Sequence, residues 1–336
     1  MQTQVGPRTG GDSSLAGPFA YGEAMTPLFT LPPVDVLVGV DGSDNSRHAF
    51  MTAVDIAKEH NLSLRAVGAY SVPVIPHRHA PKISDDRHRS IGRSTQDLLE
   101  EFAAEARDAG IDASAQAIEG DAGEVLAEAS RYSRLAVAGK RGRNRLASRL
   151  LGTVSGTLAA RSHCPVLVVP LPDSDLDEVA PVRLEAHGST AEDQPGFENE
   201  IVAGIDMDSS ALPVAEVAAR AADLSGRRLT FVSAVPADAG ASSGAAADEQ
   251  AGEYRAYADH LDEVAQAVTD SRTARFQLLE GSAAAALTDA AASAALIVMG
   301  TRGRGGLAGR LLGSVSRSVL NEARSPVLIV PNRTAA

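Results

Sequence analysis

Leu135-Ala136-Val137-Ala138-Gly139-Lys140-Arg141-Gly142 is an apolar run that closes on glycines three residues apart, and it occurs twice. Its second copy is Leu296-Ile297-Val298-Met299-Gly300-Thr301-Arg302-Gly303. Upstream, Val36-Leu37-Val38-Gly39-Val40-Asp41 returns as Ile201-Val202-Ala203-Gly204-Ile205-Asp206. Downstream, Pro165-Val166-Leu167-Val168-Val169-Pro170 returns as Pro326-Val327-Leu328-Ile329-Val330-Pro331. The glycine runs and the proline-bracketed runs are both 161 residues apart (300 − 139 and 326 − 165), and the aspartate-ended runs 165 apart (206 − 41). Solenoid repeats recur every ~20–50 residues, so a period this long means two globular domains in tandem. The length of 336 residues agrees, at about 150 residues per domain. The expected division is a flexible arm over 1–33, a first domain over 34–170, an acidic Pro/Ser/Asp-rich linker over 171–199 and a second domain over 200–331.

Within each copy, apolar runs alternate with amphipathic segments. The first copy predicts strands at 34–40, 62–70, 113–118, 134–139 and 166–169. Helices are expected at about 46–60, 90–109 and 122–131, with another opening near Gly152; Ser43-Asp44 and Asp121 supply N-terminal caps. The second copy repeats this, with Ser210 as a cap, Pro213 in the first helical turn and Gly226 as the stop. The strands are unbroken runs of Val, Ile, Leu and Ala, as in a parallel sheet covered on both faces. The fold class is therefore α/β, two sandwiches in series.

Composition narrows the function. Lys and Arg number 31 against 43 Asp and Glu, a net charge of −12, which argues against a surface that tracks nucleic acid or anionic lipid. Aromatics are 4 % and Trp is absent, so stacking platforms for single strands are not expected. The single cysteine, Cys164, excludes an intramolecular disulfide and a Cys-only metal cluster, and reads as a packing residue. No secretory h-region and no membrane-length apolar stretch are visible, which makes the cytoplasm the expected location.

The chemistry lies in the glycine segments. Copy one continues Gly139-x2-Gly142-x9-Gly152-Thr153-Val154-Ser155, and copy two Gly300-x2-Gly303-x9-Gly313-Ser314-Val315-Ser316. Glycines let backbone approach a ligand, and a helix opening at the last glycine offers free N–H groups and a positive dipole end to an anion. Hydroxyls of Thr153, Ser155, Ser314 and Ser316 add donors. Lys140, Arg141, Arg143, Arg145 and Arg149 make the first loop basic, and Arg302, Arg304 and Arg310 the second. A phosphate site is favoured over a purely structural glycine turn. A P-loop is absent, and the GxGxxA string at Gly303 is accidental, because Asn144 breaks it in copy one. Asp41 and Asp206 each close the first strand. If strands one and four are neighbours where strand order reverses, these carboxylates face the glycine loops across one crevice and can accept from ribose hydroxyls. The competing reading is a turn cap, Asp-Gly-Ser being good turn chemistry.

Together, the strand ending in Asp, the Gly-x2-Gly-x9-Gly-[Ser/Thr] loop and the proline-flanked last strand resemble the universal stress protein family in its tandem two-domain, ATP-binding form. The resemblance covers about 34–170 and 200–331. It implies two Rossmann-like domains of the adenine nucleotide alpha hydrolase-like kind, each a five-stranded parallel sheet of order 3-2-1-4-5. It implies ATP, with or without Mg2+, near Asp41, Gly139, Gly142, Gly152, Thr153, Val154 and Ser155 in the first domain. In the second, Asp206, Gly300, Gly303, Gly313, Ser314, Val315 and Ser316 take those places. It also implies antiparallel pairing of 166–169 with 327–330 as an internal pseudo-dimer, leaving a homodimer of whole chains as a further step. The stress-response role comes from the resemblance alone.

Three readings follow: a regulatory or sensing protein that binds adenine nucleotide, a slow ATPase using the same crevices, or a non-nucleotide interaction module acting through its edge strands. No catalytic residue is assigned. Glu119 and Glu280 recur, but read as strand-end residues. His77, His79 and His88 match no compact metal pattern and have no counterpart in copy two.

Overall fold

The structure is a computed structural model that describes residues 31–71, 85–141, 151–171, 197–208, 210–235, 245–268, 274–301 and 312–332. The first copy runs β1 (Val34–Gly39), α1 (Asp44–Glu59), β2 (Leu64–Tyr70), α2 (Asp85–Asp108), β3 (Ala113–Glu119), α3 (Ala122–Ala129), β4 (Ser133–Gly139), α4 (Thr153–Arg161) and β5 (Val166–Val169). The second runs β6 (Ile201–Gly204), α5 (Ala211–Ser225), β7 (Leu229–Val235), α6 (Ala245–Val268), β8 (Arg275–Glu280), α7 (Ala283–Ala290), β9 (Leu296–Gly300), α8 (Ser314–Glu322) and β10 (Val327–Val330). Most of the expected arm and linker lies outside the described residues. Leu31 and Pro32, at the end of that arm, pack on the first domain: Leu31 is buried and the Pro32 carbonyl accepts from Arg65.

Helix starts follow local chemistry. The Ser43 hydroxyl caps α1 by accepting from Ser46 N–H, Asp121 caps α3, and Ser282 caps α7. Helix α2 begins at residue 85, five residues before the expected 90. Ser210 departs from expectation. It precedes α5 but has helical φ/ψ and makes no side-chain cap; its hydroxyl and N–H instead donate to Asp208 Oδ1. Pro213 and the left-handed Gly226 (φ 65°) stand where α5 was expected to start and stop.

Each copy is a parallel sheet of order 3-2-1-4-5, and the two copies share one sheet, β3-β2-β1-β4-β5-β10-β9-β6-β7-β8. The junction is antiparallel, with Val168 opposite Val327, Leu167 opposite Leu328 and Val166 opposite Ile329. Leu167 and Leu328 are equivalent residues, so the local two-fold relation of the copies passes between them. With β5 also paired to β4 and β10 to β9, the strands 166–169 and 327–330 have neighbours on both sides. An interaction module acting through edge strands would then use β3 or β8, the outer strands among the described residues.

Side chains alternate across the joined sheet with period two. Leu167, Val169, Leu328 and Val330 belong to a core under α1, α2, α5 and α6 that includes Phe50, Phe102, Phe231 and Leu261. Val166, Val168, Val327 and Ile329 belong to the opposite core, under α3, α4, α7 and α8, with Leu126, Leu158, Leu287 and Leu320. Both cores therefore run through the domain junction. Cys164 is buried in the second, as a packing residue.

Acids are stapled at the N-terminal ends of the central strands, away from the glycine loops. Glu200, 1 % exposed, accepts from the Thr230 hydroxyl at 2.6 Å and pairs with Arg228 at 3.0 Å. In the first copy Asp35 accepts from the N–H and hydroxyl of Ser63 and from Arg134. Burial alone raises the pKa of Asp35, but the Ser63 hydrogen bonds and the Arg134 guanidinium outweigh it, and the carboxyl titrates below the usual aspartate range. A carboxyl depressed in the folded state stabilises it above the unfolded pKa, and this contribution is lost as pH falls through the folded value. Replacing Asp35→Asn should therefore cost about 1 kcal/mol at neutral pH and flatten the loss of stability between about pH 5 and 2. Urea midpoints of both proteins across that range check this; parallel pH profiles would contradict it.

Candidate functional site

Strands β1 and β4 are neighbours (Val38 opposite Val137), and the helices that follow them leave in opposite directions. Helix α1 packs on one face through Ala49, Phe50 and Ala53, and α4 on the other through Leu158 and Ala159. The same holds for β6 and β9, with α5 and α8 on opposite faces. The carboxyl ends of these strands, where strand order reverses in each domain, are the place where sheets of this kind take ligands.

On the α4 side, the segment after β4 is closed at its base by one carbonyl. Lys140 O accepts from Gly152 N–H at 2.9 Å and from the Ser155 hydroxyl at 2.9 Å. In copy two, Gly313 N–H donates to Thr301 O at 2.8 Å, and the Ser316 hydroxyl to Gly300 O at 2.8 Å. Ser155 and Ser316 are each 2 % exposed. Their hydroxyls thus serve loop closure, which differs from the donor role expected of them, while their N–H groups sit in the first helical turn. Thr153 and Ser314 are exposed, and Val154 and Val315 half-buried. Because Gly152 and Gly313 occupy the cap positions, neither α4 nor α8 has a side-chain cap, in contrast to α1, α3 and α7; α5 lacks one too, although its cap residue is a serine. The N–H groups of residues 153–155 and 314–316, which have no intrahelical acceptors, form two equivalent anion-favouring ends. Gly142 and Gly303, with Arg143, Arg145, Arg149, Arg302, Arg304 and Arg310, lie outside the described residues.

Gly139 is required by packing. A Cβ there would lie 2.6 Å from the carbonyl oxygen of Asn45, in the first turn of α1. Lys140 also departs from the expected basic loop surface: it is 8 % exposed, and its ammonium donates to the Ala323 carbonyl of the second domain at 2.8 Å.

The aspartates lie on the β1 side. Asp41 Oδ1 accepts from Ser43 N–H at 3.0 Å and from the Ser43 hydroxyl at 2.6 Å, across a turn in which Gly42 takes φ 79°. The turn reading of Asp41 is thus realised. In copy two the connection is two residues longer, with seven positions from Gly204 to Ala211 against five from Gly39 to Asp44. Asp208 and Ser210 make the turn there, and Asp206 Oδ1 accepts from Met207 N–H at 2.7 Å. The ring of His260, on α6, meets the Asp206 carbonyl at 3.2 Å. That contact spans 54 residues and carried no sequence signal.

Glu119 and Glu280 end β3 and β8, as expected of strand-end residues. His77 and His79 lie outside the described residues. Among the described residues, no group of three or more His, Cys, Asp or Glu is placed to hold a metal, and no helix is long and apolar enough to cross a membrane.

The sequence profile of the universal stress protein family matches twice, over residues 35–170 and 199–331. The chain belongs to the universal stress protein family. Universal stress protein Rv2005c of Mycobacterium tuberculosis is 31 % identical over 309 residues, spanning 88 % of this chain and 96 % of that protein. A crystal structure of a universal stress protein from Archaeoglobus fulgidus DSM 4304 matches with a TM-score of 0.63 and 20 % identity, over 88 % of this chain and 98 % of that one; this likeness concerns the fold. Both are similar across two universal stress protein domains' length of this chain, the arrangement its internal repeat describes.

The close approach at Gly139 yields a prediction for this universal stress protein. Gly139→Ala should destabilise the chain by about 1–3 kcal/mol without any ligand, because the Asn45 backbone has to move. Denaturant unfolding of ligand-free protein reads it; unchanged stability would show that the glycine is not needed for packing.

Proposed function

We propose that each domain binds one adenine nucleotide, ATP foremost and with or without Mg2+, and that the chain acts in the stress response as a regulatory or sensing protein. The observation that carries this is the pair of helices, α4 and α8, that begin at the strand-order reversal with glycine at the cap position and, among the described residues, no side-chain cap. A side-chain cap would satisfy those N–H groups; a phosphate does so when the cap has no side chain. On this reading Gly139, Gly142, Gly152, Thr153, Val154 and Ser155 flank the phosphates in the first domain, and Gly300, Gly303, Gly313, Ser314, Val315 and Ser316 in the second. Asp41 and Asp206 face the ribose. For Ser155 and Ser316 the N–H is the donor, since the hydroxyl is used within the loop. The chain is proposed to work in the cytoplasm, with association of whole chains as a second level of assembly.

The test is mass spectrometry of the purified protein with calorimetry against ATP, ADP and AMP. Two sites per chain are expected. Gly152→Asp and Gly313→Asp each place a carboxylate at the cap position, where it can accept from the helix N–H groups and repels phosphate; at Gly152 the added Cβ comes within 3.2–3.3 Å of Ser155 Oγ, Lys140 O and Arg141 Cα, so unfolding of that variant is measured alongside. Each should weaken its own site by about tenfold or more, and the double variant should bind no nucleotide. No bound nucleotide and no heat in the unsubstituted protein would overturn the proposal. ATP turnover that disappears in Asp41→Ala with Asp206→Ala would make the protein an enzyme.

A further inference from the structure

Helix α8 belongs to the second domain, yet its last turn is held by the first. Lys140 Nζ donates to the Ala323 carbonyl at 2.8 Å, and Leu151 N–H donates to Asn321 Oδ1 at 2.7 Å. Ala323 is the C-terminal cap residue of α8, and Asn321 lies in the last turn. The final carbonyls of a helix have no intrahelical donors, and a buried ammonium there meets the negative end of the helix dipole. Lys140 and Leu151 are also the two sides of the base of the first glycine loop, next to Gly139 and Gly152. Lys140 O in addition holds Gly152 N–H and the Ser155 hydroxyl. One residue thus joins the N-terminus of α4 to the C-terminus of α8. The other end of α8, about 13 Å away at 1.5 Å per residue, is the uncapped N-terminus of the second site.

Among the described residues the link runs one way. At the 161-residue offset, Lys140 corresponds to Thr301 and Asn321 to Ala160, so neither group is repeated in the opposite direction. The Thr301 hydroxyl instead accepts from Asn332 N–H within its own domain. Among the described residues, an ammonium and an amide join one domain to the last turn of the other's helix at α8 alone.

We infer that Lys140 and Asn321 are positioning residues for the second site, contributed through the first domain's loop base, so that filling the first site tightens the second. The inference rests on the nucleotide reading above. A ligand on α4 fixes Gly152 and Lys140, hence the grip on α8, and the second ligand then meets a helix end already held in place. By linkage the second ligand favours the first equally.

Calorimetry on the full chain with ATP tests this. Gly313→Asp isolates the first site and Gly152→Asp the second, and the unsubstituted protein then yields the factor by which one site changes the other. A factor of about 5 or more is expected. Asn321→Ala and Lys140→Met should each bring it to about 1, while Asn321→Asp, which keeps the acceptor oxygen, should retain it. A role in stability alone would shift unfolding in Asn321→Ala and leave the factor unchanged; that result, or a factor within twofold of 1 in the unsubstituted protein, overturns the inference. If no protein binds ATP, the nucleotide reading falls, and the positioning claim is judged on free protein. Asn321→Ala should then speed hydrogen exchange of the α8 amides relative to Asn321→Asp, and equal exchange would overturn it.

Discussion

Three cross-strand pairs, Val166 with Ile329, Leu167 with Leu328 and Val168 with Val327, turn two five-stranded sheets into one. Each strand is only four residues long and enters between prolines, which have no N–H to extend a ladder. The pairing is short, but both faces of it are buried, so the two cores continue through the junction. Everything that follows in the molecule depends on this closure: the mutual position of α4 and α8, the contact of Lys140 with Ala323, and the placing of two equivalent strand-order reversals on one continuous scaffold.

The strand-order reversals themselves obey a simpler rule. A parallel sheet whose order reverses between β1 and β4 sends its following helices to opposite faces, and the strand ends between them cannot be covered by either. What the chain adds locally is a choice of caps. Serine or aspartate caps α1, α3 and α7; glycine stands at α4 and α8. The first three helix ends take a hydrogen bond from the side chain of their own cap residue, and the last two do not. Two of the glycines also sit in close packing: a Cβ at Gly139 would lie 2.6 Å from the Asn45 carbonyl oxygen, and one at Gly152 would lie 3.2–3.3 Å from Ser155 Oγ, Arg141 Cα and Lys140 O.

Much of the architecture was legible because it is periodic. Unbroken aliphatic runs marked buried strands, and the repeat doubled each signal, so strand order and the 166–169/327–330 pairing could be anticipated with the family resemblance. Less legible was anything set by loop length. Two extra residues between β6 and α5 moved the turn from Asp206 to Asp208 and removed the cap expected of Ser210. The hydroxyls of Ser155 and Ser316 looked like ligand donors because their spacing from glycine was right, yet each points to a carbonyl at the base of its own loop.

By itself the sequence determined the duplication, the α/β alternation, the glycine-started helices and the aspartates at the ends of the first strands, because these depend on neighbours within a few residues or on the spacing between copies. Only the tertiary structure decided that the Lys140 ammonium reaches the end of α8, that Asn321 receives Leu151, and that His260 meets Asp206. Those partners are 54 to 183 residues apart, and a hydrogen bond across such a distance leaves no periodic trace in the chain. It exists because the fold brings the partners within about 3 Å of one another, across the domain junction for Lys140 and Leu151 and within the second domain for His260.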